Sequence, residues 1–169
     1  MEVAHRAVAA LEARIEVLET KLVYLEVDDT STFEGLAPPH VIFRGVNLHV
    51  QNGLAQTNTN NGLGNLIVGY NEAITADSTM RIGSYNLIIG IDHRYTSYGG
   101  FVAGYQNRIA GQYATVSGGY HSLASGDYSS VSAGEGNIAS GQYSSVSGGY
   151  NRSALGIYDW VGGSLSEDQ

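Results

Sequence analysis

Three consecutive blocks near the C-terminus repeat with a period of fifteen: Gly111-Gln-Tyr-Ala-Thr-Val-Ser-Gly-Gly-Tyr120, Gly126-Asp-Tyr-Ser-Ser-Val-Ser-Ala-Gly-Glu135 and Gly141-Gln-Tyr-Ser-Ser-Val-Ser-Gly-Gly-Tyr150. A unit this short cannot bury a core alone, so successive units must stack and share one. Gly111, Gly126, Gly141 and Gly156 mark one corner of the coil. A tyrosine follows each corner (Tyr113, Tyr128, Tyr143, Tyr158), and a valine sits five residues after it (Val116, Val131, Val146, Val161). The pattern is that of a solenoid and points to a scaffold rather than an enclosed catalytic pocket.

The stack begins before the obvious repeats. Asn65-Leu-Ile-Val-Gly-Tyr-Asn71, Asn86-Leu-Ile-Ile-Gly-Ile-Asp92 and Phe101-Val-Ala-Gly-Tyr-Gln-Asn107 share an aliphatic pair or triplet closed by glycine. From Ile88 to Val102 to Val116 the step is fourteen; afterwards an extra glycine makes it fifteen. Ile67 and Ile88 lie twenty-one apart, which places a surface insertion at Glu72–Arg81. Seven coils then run from Leu66 to Val161, a stack about 33 Å tall at the usual strand spacing. The thin interior calls for small side chains. Ala110, Ala124, Ala139 and Ala154 are expected to fill one row beside Ile109, Leu123 and Ile138, and the valines another. Glycine corners imply positive φ, which glycine adopts without a Cβ penalty. The row breaks at Ser153 and Leu155, and Trp160 and Leu165 are expected to cap the end.

A different period governs the front. Met1, Ala4, Val8, Leu11, Ile15, Leu18, Leu22 and Leu25 step by three and four, an a/d register over almost four heptads. Glu12, Glu19 and Glu26 take e positions, and Arg14 and Lys21 take g. Parallel copies would pair Arg14 with Glu19 and Lys21 with Glu26, which selects orientation more than it stabilises. Ile at a with Leu at d leans towards two strands. However, Arg14-Ile-Glu-Val-Leu-Glu19 resembles a short trimer-specifying motif, in which an arginine stem lies over the core and reaches the neighbour's glutamate. Leu11, Arg14, Ile15, Leu18, Glu19, Leu22 and Leu25 are therefore the expected trimerisation residues. Beyond them Val27-Asp-Asp-Thr-Ser-Thr32 and Pro38-Pro39 forbid helix. Val41–Val50 reads as strand, and Asn52-Gly53 as a tight turn.

The divisions that follow are a coiled coil at 1–26, a linker and β cap at 27–63, a roll at 64–163 and a frayed tail at 164–169. The fold class is mainly β: a parallel roll or solenoid of 14–15-residue coils behind an N-terminal helix, as a homotrimer.

Charge narrows the partners. The formal net charge is −8, against nucleic acid, whose phosphates need basic patches. Half of the sixteen acidic residues lie in the first 34 positions. Between Tyr95 and Tyr158 the charges are Arg108, Asp127, Glu135 and Arg152 alone, so the repeats present a neutral polar surface. No apolar run is long enough for a membrane span, and Met1–Arg6 does not read as a signal peptide. Without cysteine there is no disulfide or thiolate chemistry.

Catalysis and cofactors find no motif. Ser129-Ser130 and Ser144-Ser145 recur because the coil recurs, with no His/Asp partner. Asp77, Asp92 and Asp127 lack a calcium-loop spacing, and His40, His49, His93 and His121 are scattered, so no metal is expected. The expected ligand-binding candidates are two tyrosine rows: Tyr113, Tyr128, Tyr143 and Tyr158, and Tyr105, Tyr120 and Tyr150. Tyrosine joins a rigid apolar face to a hydroxyl. Stacking on one another is the competing use of those rings, and Glu135 interrupts the second row. The Thr57–Asn61 loop and the Glu72–Arg81 insertion are where variable contacts would project.

Ile-Val-Gly (67–69), Ile-Ile-Gly (88–90), Val-Ala-Gly (102–104) and the Ala-Ser-Gly corners (124–126, 139–141), behind a trimer motif, resemble the YadA-like heads of trimeric autotransporter adhesins. The resemblance spans Gly64 to about Gly163. It implies three left-handed parallel β-rolls around a three-fold axis, at a cell surface or otherwise extracellular, and attachment to host surfaces. The functional expectation is a non-enzymatic homotrimeric adhesin or fibre tip binding surface glycans or proteins. The alternative is a structural trimerisation or spacer unit of a phage-type tail fibre or a larger secreted assembly.

Overall fold

The computed structural model describes residues 1–33, 35–73 and 80–163. The chain divides into two units, Met1–His49 and Val50–Gln169. The first holds helix α1 (Glu2–Leu22) and two antiparallel strands, β1 (Leu25–Asp28) and β2 (His40–Phe43). Glu2 in the first turn and Lys21 in the last suit the helix dipole, and no glycine or proline interrupts the span.

The helix is shorter than the heptads suggested. It stops at Leu22, and Leu25, an expected d position, is instead the first residue of β1, opposite Phe43. β-Branched Val27, Val41 and Ile42 favour the extended pairing, which also supplies partners for backbone groups a fraying helix end would leave open. Glu26 accordingly takes Arg44 at 2.8 Å rather than a helical e position. The strand expected over Val41–Val50 likewise ends at Phe43. After the Arg44 N–H bonds the Tyr24 carbonyl at 3.1 Å, no partner strand follows among the described residues, and Val46, Leu48 and Val50 stay exposed.

The second unit is a parallel solenoid. One sheet has seven strands: β3 (Leu66–Val68), β4 (Leu87–Ile91), β6 (Phe101–Tyr105), β8 (Thr115–Val116), β10 (Ser130–Val131), β12 (Ser145–Val146) and β14 (Trp160–Val161). The other has five: β5 (Arg94–Tyr95), β7 (Arg108–Ile109), β9 (Leu123–Ala124), β11 (Ile138–Ala139) and β13 (Ser153–Ala154). Five coils carry a strand on both sheets, with β3 before them and β14 after. The register runs Ile67, Ile88, Val102, Val116, Val131, Val146, Val161. The steps of twenty-one, fourteen and fifteen read from the sequence are thus strand neighbours. Of the Glu72–Arg81 insertion, residues 74–79, Asp77 among them, lie outside the described residues, as do Leu165 and the 164–169 tail.

The core is one thin column. Ile88 and the valines from 102 to 146 are fully buried. The second row runs Tyr95, Ile109, Ala124, Ala139, Ala154, all buried. This corrects the expectation of Ala110, which is only partly buried. The extra residue of the longer coil enters between Val116 and Ala124, so the second row steps by fifteen one coil earlier than the first. Leu123 and Ile138 then align with Arg108, not with Ile109.

The corners also differ from expectation. Gly111, Gly126 and Gly141 do not have positive φ; a Cβ at each would collide with the carbonyl of the glycine one coil on. They are glycine for close approach, and the left-handed conformation falls to Tyr113, Tyr128, Tyr143 and Tyr158 (φ 56°, 60°, 59° and 65°). Trp160 is no cap. It lies beside Ser145 in β14, with Nε1 donating to the Ser147 hydroxyl at 2.8 Å, and is largely exposed.

Residues 50–63 pack on the first coils through polar bonds. Asn52 is buried, donates to Thr59 Oγ1 at 2.8 Å and accepts from the Tyr85 hydroxyl at 2.7 Å. Gly53 has φ 81° and the Leu54 N–H bonds Asn52 Oδ1, the turn expected at Asn52-Gly53.

Candidate functional site

The helix carries an apolar stripe that no described residue of its own unit covers. No α1 residue is buried, and Leu11, Ile15, Leu18 and Leu22 are between 50% and 55% exposed. Arg14 lines a shallow depression with Ala13, Val17 and Leu18. Among the described residues neither Arg14 nor Glu19 makes an ion pair within the chain. Six of the seven expected trimerisation residues thus share one helix, and Leu25 does not.

The solenoid brings the first tyrosine row together. Ring centroids of Tyr113 and Tyr128 are 5.3 Å apart, and those of Tyr128–Tyr143 and Tyr143–Tyr158 5.1 Å, with planes within 15° of parallel. The cause is local. Each tyrosine N–H bonds a carbonyl one coil back (Tyr128 to Gln112, Tyr143 to Asp127, Tyr158 to Gln142), which fixes the backbone, and the shared left-handed φ aims every ring alike. Tyr98 adds a rung that the glycine pattern hid, because no glycine stands two residues before it. It meets Tyr113 edge-on at 5.4 Å, and its hydroxyl donates to Gln112 Oε1 at 2.7 Å.

The second row is only partly assembled. Tyr105 and Tyr120 stack at 5.3 Å, and Tyr120, Glu135 and Tyr150 follow as bridge partners, so Glu135 occupies the rung between two tyrosines as the sequence indicated. Tyr120 also touches exposed His121 at 5.6 Å.

A third row escaped the sequence reading altogether. Asn71 Oδ1 accepts the His93 N–H at 2.7 Å, and His93 Nδ1 accepts that of Asn107 at 3.2 Å. Asn107 Oδ1 accepts from Ser122 at 2.8 Å, Ser122 Oγ from Asn137 at 3.2 Å, and Asn137 Oδ1 from Arg152 at 2.9 Å. The amides return a bond four residues back, Asn107 to the Ala103 carbonyl at 2.7 Å and Asn137 to that of Ala133 at 2.8 Å. His93 imitates both ends: with Nδ1 accepting, Nε2 carries the proton and donates to the Ile89 carbonyl at 3.0 Å. Burial pushes its pKa below the usual 6.5, against a smaller opposing pull from its hydrogen bonds and Asp92. From His93 onward the fourteen- and fifteen-residue spacing of these side chains was the available signal, but their mixed identities concealed it.

The other histidines are apart. His40 lies near Phe33, His49 is exposed, and among the described residues no three His, Cys, Asp or Glu side chains form a metal-holding group. Among the described residues no helix is long and apolar enough to cross a membrane.

Comparison with protein-family models, curated proteins and solved structures returned no match for this chain.

Proposed function

We propose that this chain is a non-enzymatic homotrimeric attachment module, displayed at a cell surface or on a fibre, that engages surface glycans or proteins through its solenoid. The observation that carries the reading is the half-exposed heptad stripe of α1. Burying the rest of each such side chain is worth roughly 1 kcal/mol, half of a full burial. Leu11, Ile15, Leu18 and Leu22 across three copies would offset the cost of association. The spacing from Arg14 to Glu19 supports three copies over two. Three solenoids per particle turn weak single contacts into useful avidity. The likeness of the coils to YadA-like heads supports the same assignment.

The test is solution mass by light scattering, with an Arg14→Ala, Glu19→Ala variant alongside. Wild type is expected at three times the 17.9 kDa chain mass, and the variant at a lower average mass. A monomeric wild type overturns the trimer.

A second reading, a structural spacer within a longer fibre or secreted assembly, is favoured by one observation: the tyrosine faces are spent on one another. Co-purification with large particle components, and no binding of the trimer to cells, glycans or matrix proteins, would select it.

A further inference from the structure

We infer that the corner ladder Tyr113, Tyr128, Tyr143 and Tyr158 is an edge-on track for a neutral, linear, β-1,4-linked polysaccharide, laid along the solenoid at about one sugar ring per rung. The inference rests on the attachment reading above and names its ligand class.

Sugars usually meet aromatic residues face to face, but here each internal ring has both faces covered by its neighbours at 5.1–5.3 Å. The rings are nevertheless 40–74% exposed. What they offer is their edges, tipped by a row of hydroxyls that make no hydrogen bond among the described residues. A phenol both donates and accepts, so it satisfies a sugar hydroxyl in either orientation.

The spacing selects the polymer. Strand pairing sets the rung repeat, and an extended β-1,4-linked hexopyranose chain advances by about the same length per ring. Successive rings can then meet successive hydroxyls without losing register. An α-linked chain coils and falls out of step. A stiff ligand on a pre-ordered row forfeits little conformational freedom on binding.

Charge selects a neutral polymer. Asp127 and Asp159 each stand next to a rung, and both carboxylates are engaged by backbone, Asp127 Oδ1 by the Gln112 N–H at 2.9 Å and Asp159 Oδ2 by the Gly156 N–H at 2.6 Å, while Glu135 belongs to the other tyrosine row. No arginine or lysine lies between Gly111 and Tyr150 to meet a sulfate or uronate.

The test is calorimetry on the full chain with β-1,4-linked oligosaccharides of glucose and of N-acetylglucosamine in increasing length, against α-linked malto-oligosaccharides. Affinity for at least one β-series is expected to rise with each ring and level off once the ladder is spanned, while the α-series fails. Tyr128→Phe with Tyr143→Phe keeps the stack and removes two central hydroxyls. At about fivefold for each lost hydrogen bond, the double variant should bind about 25-fold more weakly, with an unchanged melting temperature. Equal α and β binding, absence of length dependence, or an unaffected double variant overturns the inference. If the protein binds cells yet no β-1,4 oligosaccharide, the inference fails and the attachment reading stands. If it binds neither, both fail.

Discussion

A histidine occupies a place that asparagine fills elsewhere in the solenoid, and the exchange has a cost that depends on pH. His93 is fully buried and needs Nδ1 free of its proton to accept the Asn107 N–H. Asp92 beside it is bonded to the Arg81 guanidinium at 3.4 Å and to Gln106 at 3.1 Å, and Arg81 Nε reaches the His93 carbonyl at 3.1 Å. Desolvation outweighs the backbone hydrogen bonds to its ring and the pull of the Asp92 charge, so the folded pKa lies below 6.5. The unfolded chain therefore takes up the proton first. The stability that neutral His93 contributes is whole above about pH 6.5 and declines as pH falls below it. His93→Asn should keep both hydrogen bonds and flatten that acid limb in chemical denaturation from pH 7 to pH 5. An unchanged acid dependence would remove His93 as its source. At this scale the sequence was a partial guide. Val116 and Val131 declared themselves by spacing alone, whereas nothing in the letters Asn, His and Ser revealed one shared role.

The ladder is the informative element. A tyrosine with positive φ costs about 1 kcal/mol relative to its ordinary conformation, and four successive coils accept it. Stacking repays this, since each offset pair contributes roughly 0.5–1.5 kcal/mol beyond its area. Tyr128 belongs to two such pairs. Tyr128→Ala is expected to lower unfolding stability by about 2 kcal/mol in urea titration, and Tyr128→Phe to leave it nearly unchanged. Similar losses in both would show that the hydroxyl, not the ring, holds the row. The tyrosine repeat was plain in the sequence, but its backbone conformation was not. Glycine was the obvious bearer of positive φ, yet Gly126 is there to let two carbonyls pass. Strand ends were equally hidden where they depend on a partner. Leu25 fits the heptad as well as Leu22 does, and only the pairing with Phe43 decides its place.

For the whole molecule, each coil touches little beyond its neighbours, so length is nearly a free variable. Removing residues 126–140 joins Ser125 to Gly141 at an equivalent point of the repeat. The shortened chain should fold with the same far-UV spectrum per solenoid residue and melt at a lower temperature. Loss of structure would mean that the coil serves a contact outside the stack. The same economy explains why the repeat predicted the class of fold but not the position of the Ala row. A single glycine, inserted between two strands of one coil, shifts one sheet's count and leaves the other's until the next turn.

The polar row through Asn71, His93, Asn107, Ser122, Asn137 and Arg152 has a polarity. In every rung the acceptor belongs to the earlier coil and the N–H to the later one. A finished coil thus holds out the docking atom before its successor exists. Construction can proceed as a ratchet from the N-terminal side, each turn latching as it emerges from a ribosome or a translocation pore, with no need to wait for the remainder of the chain.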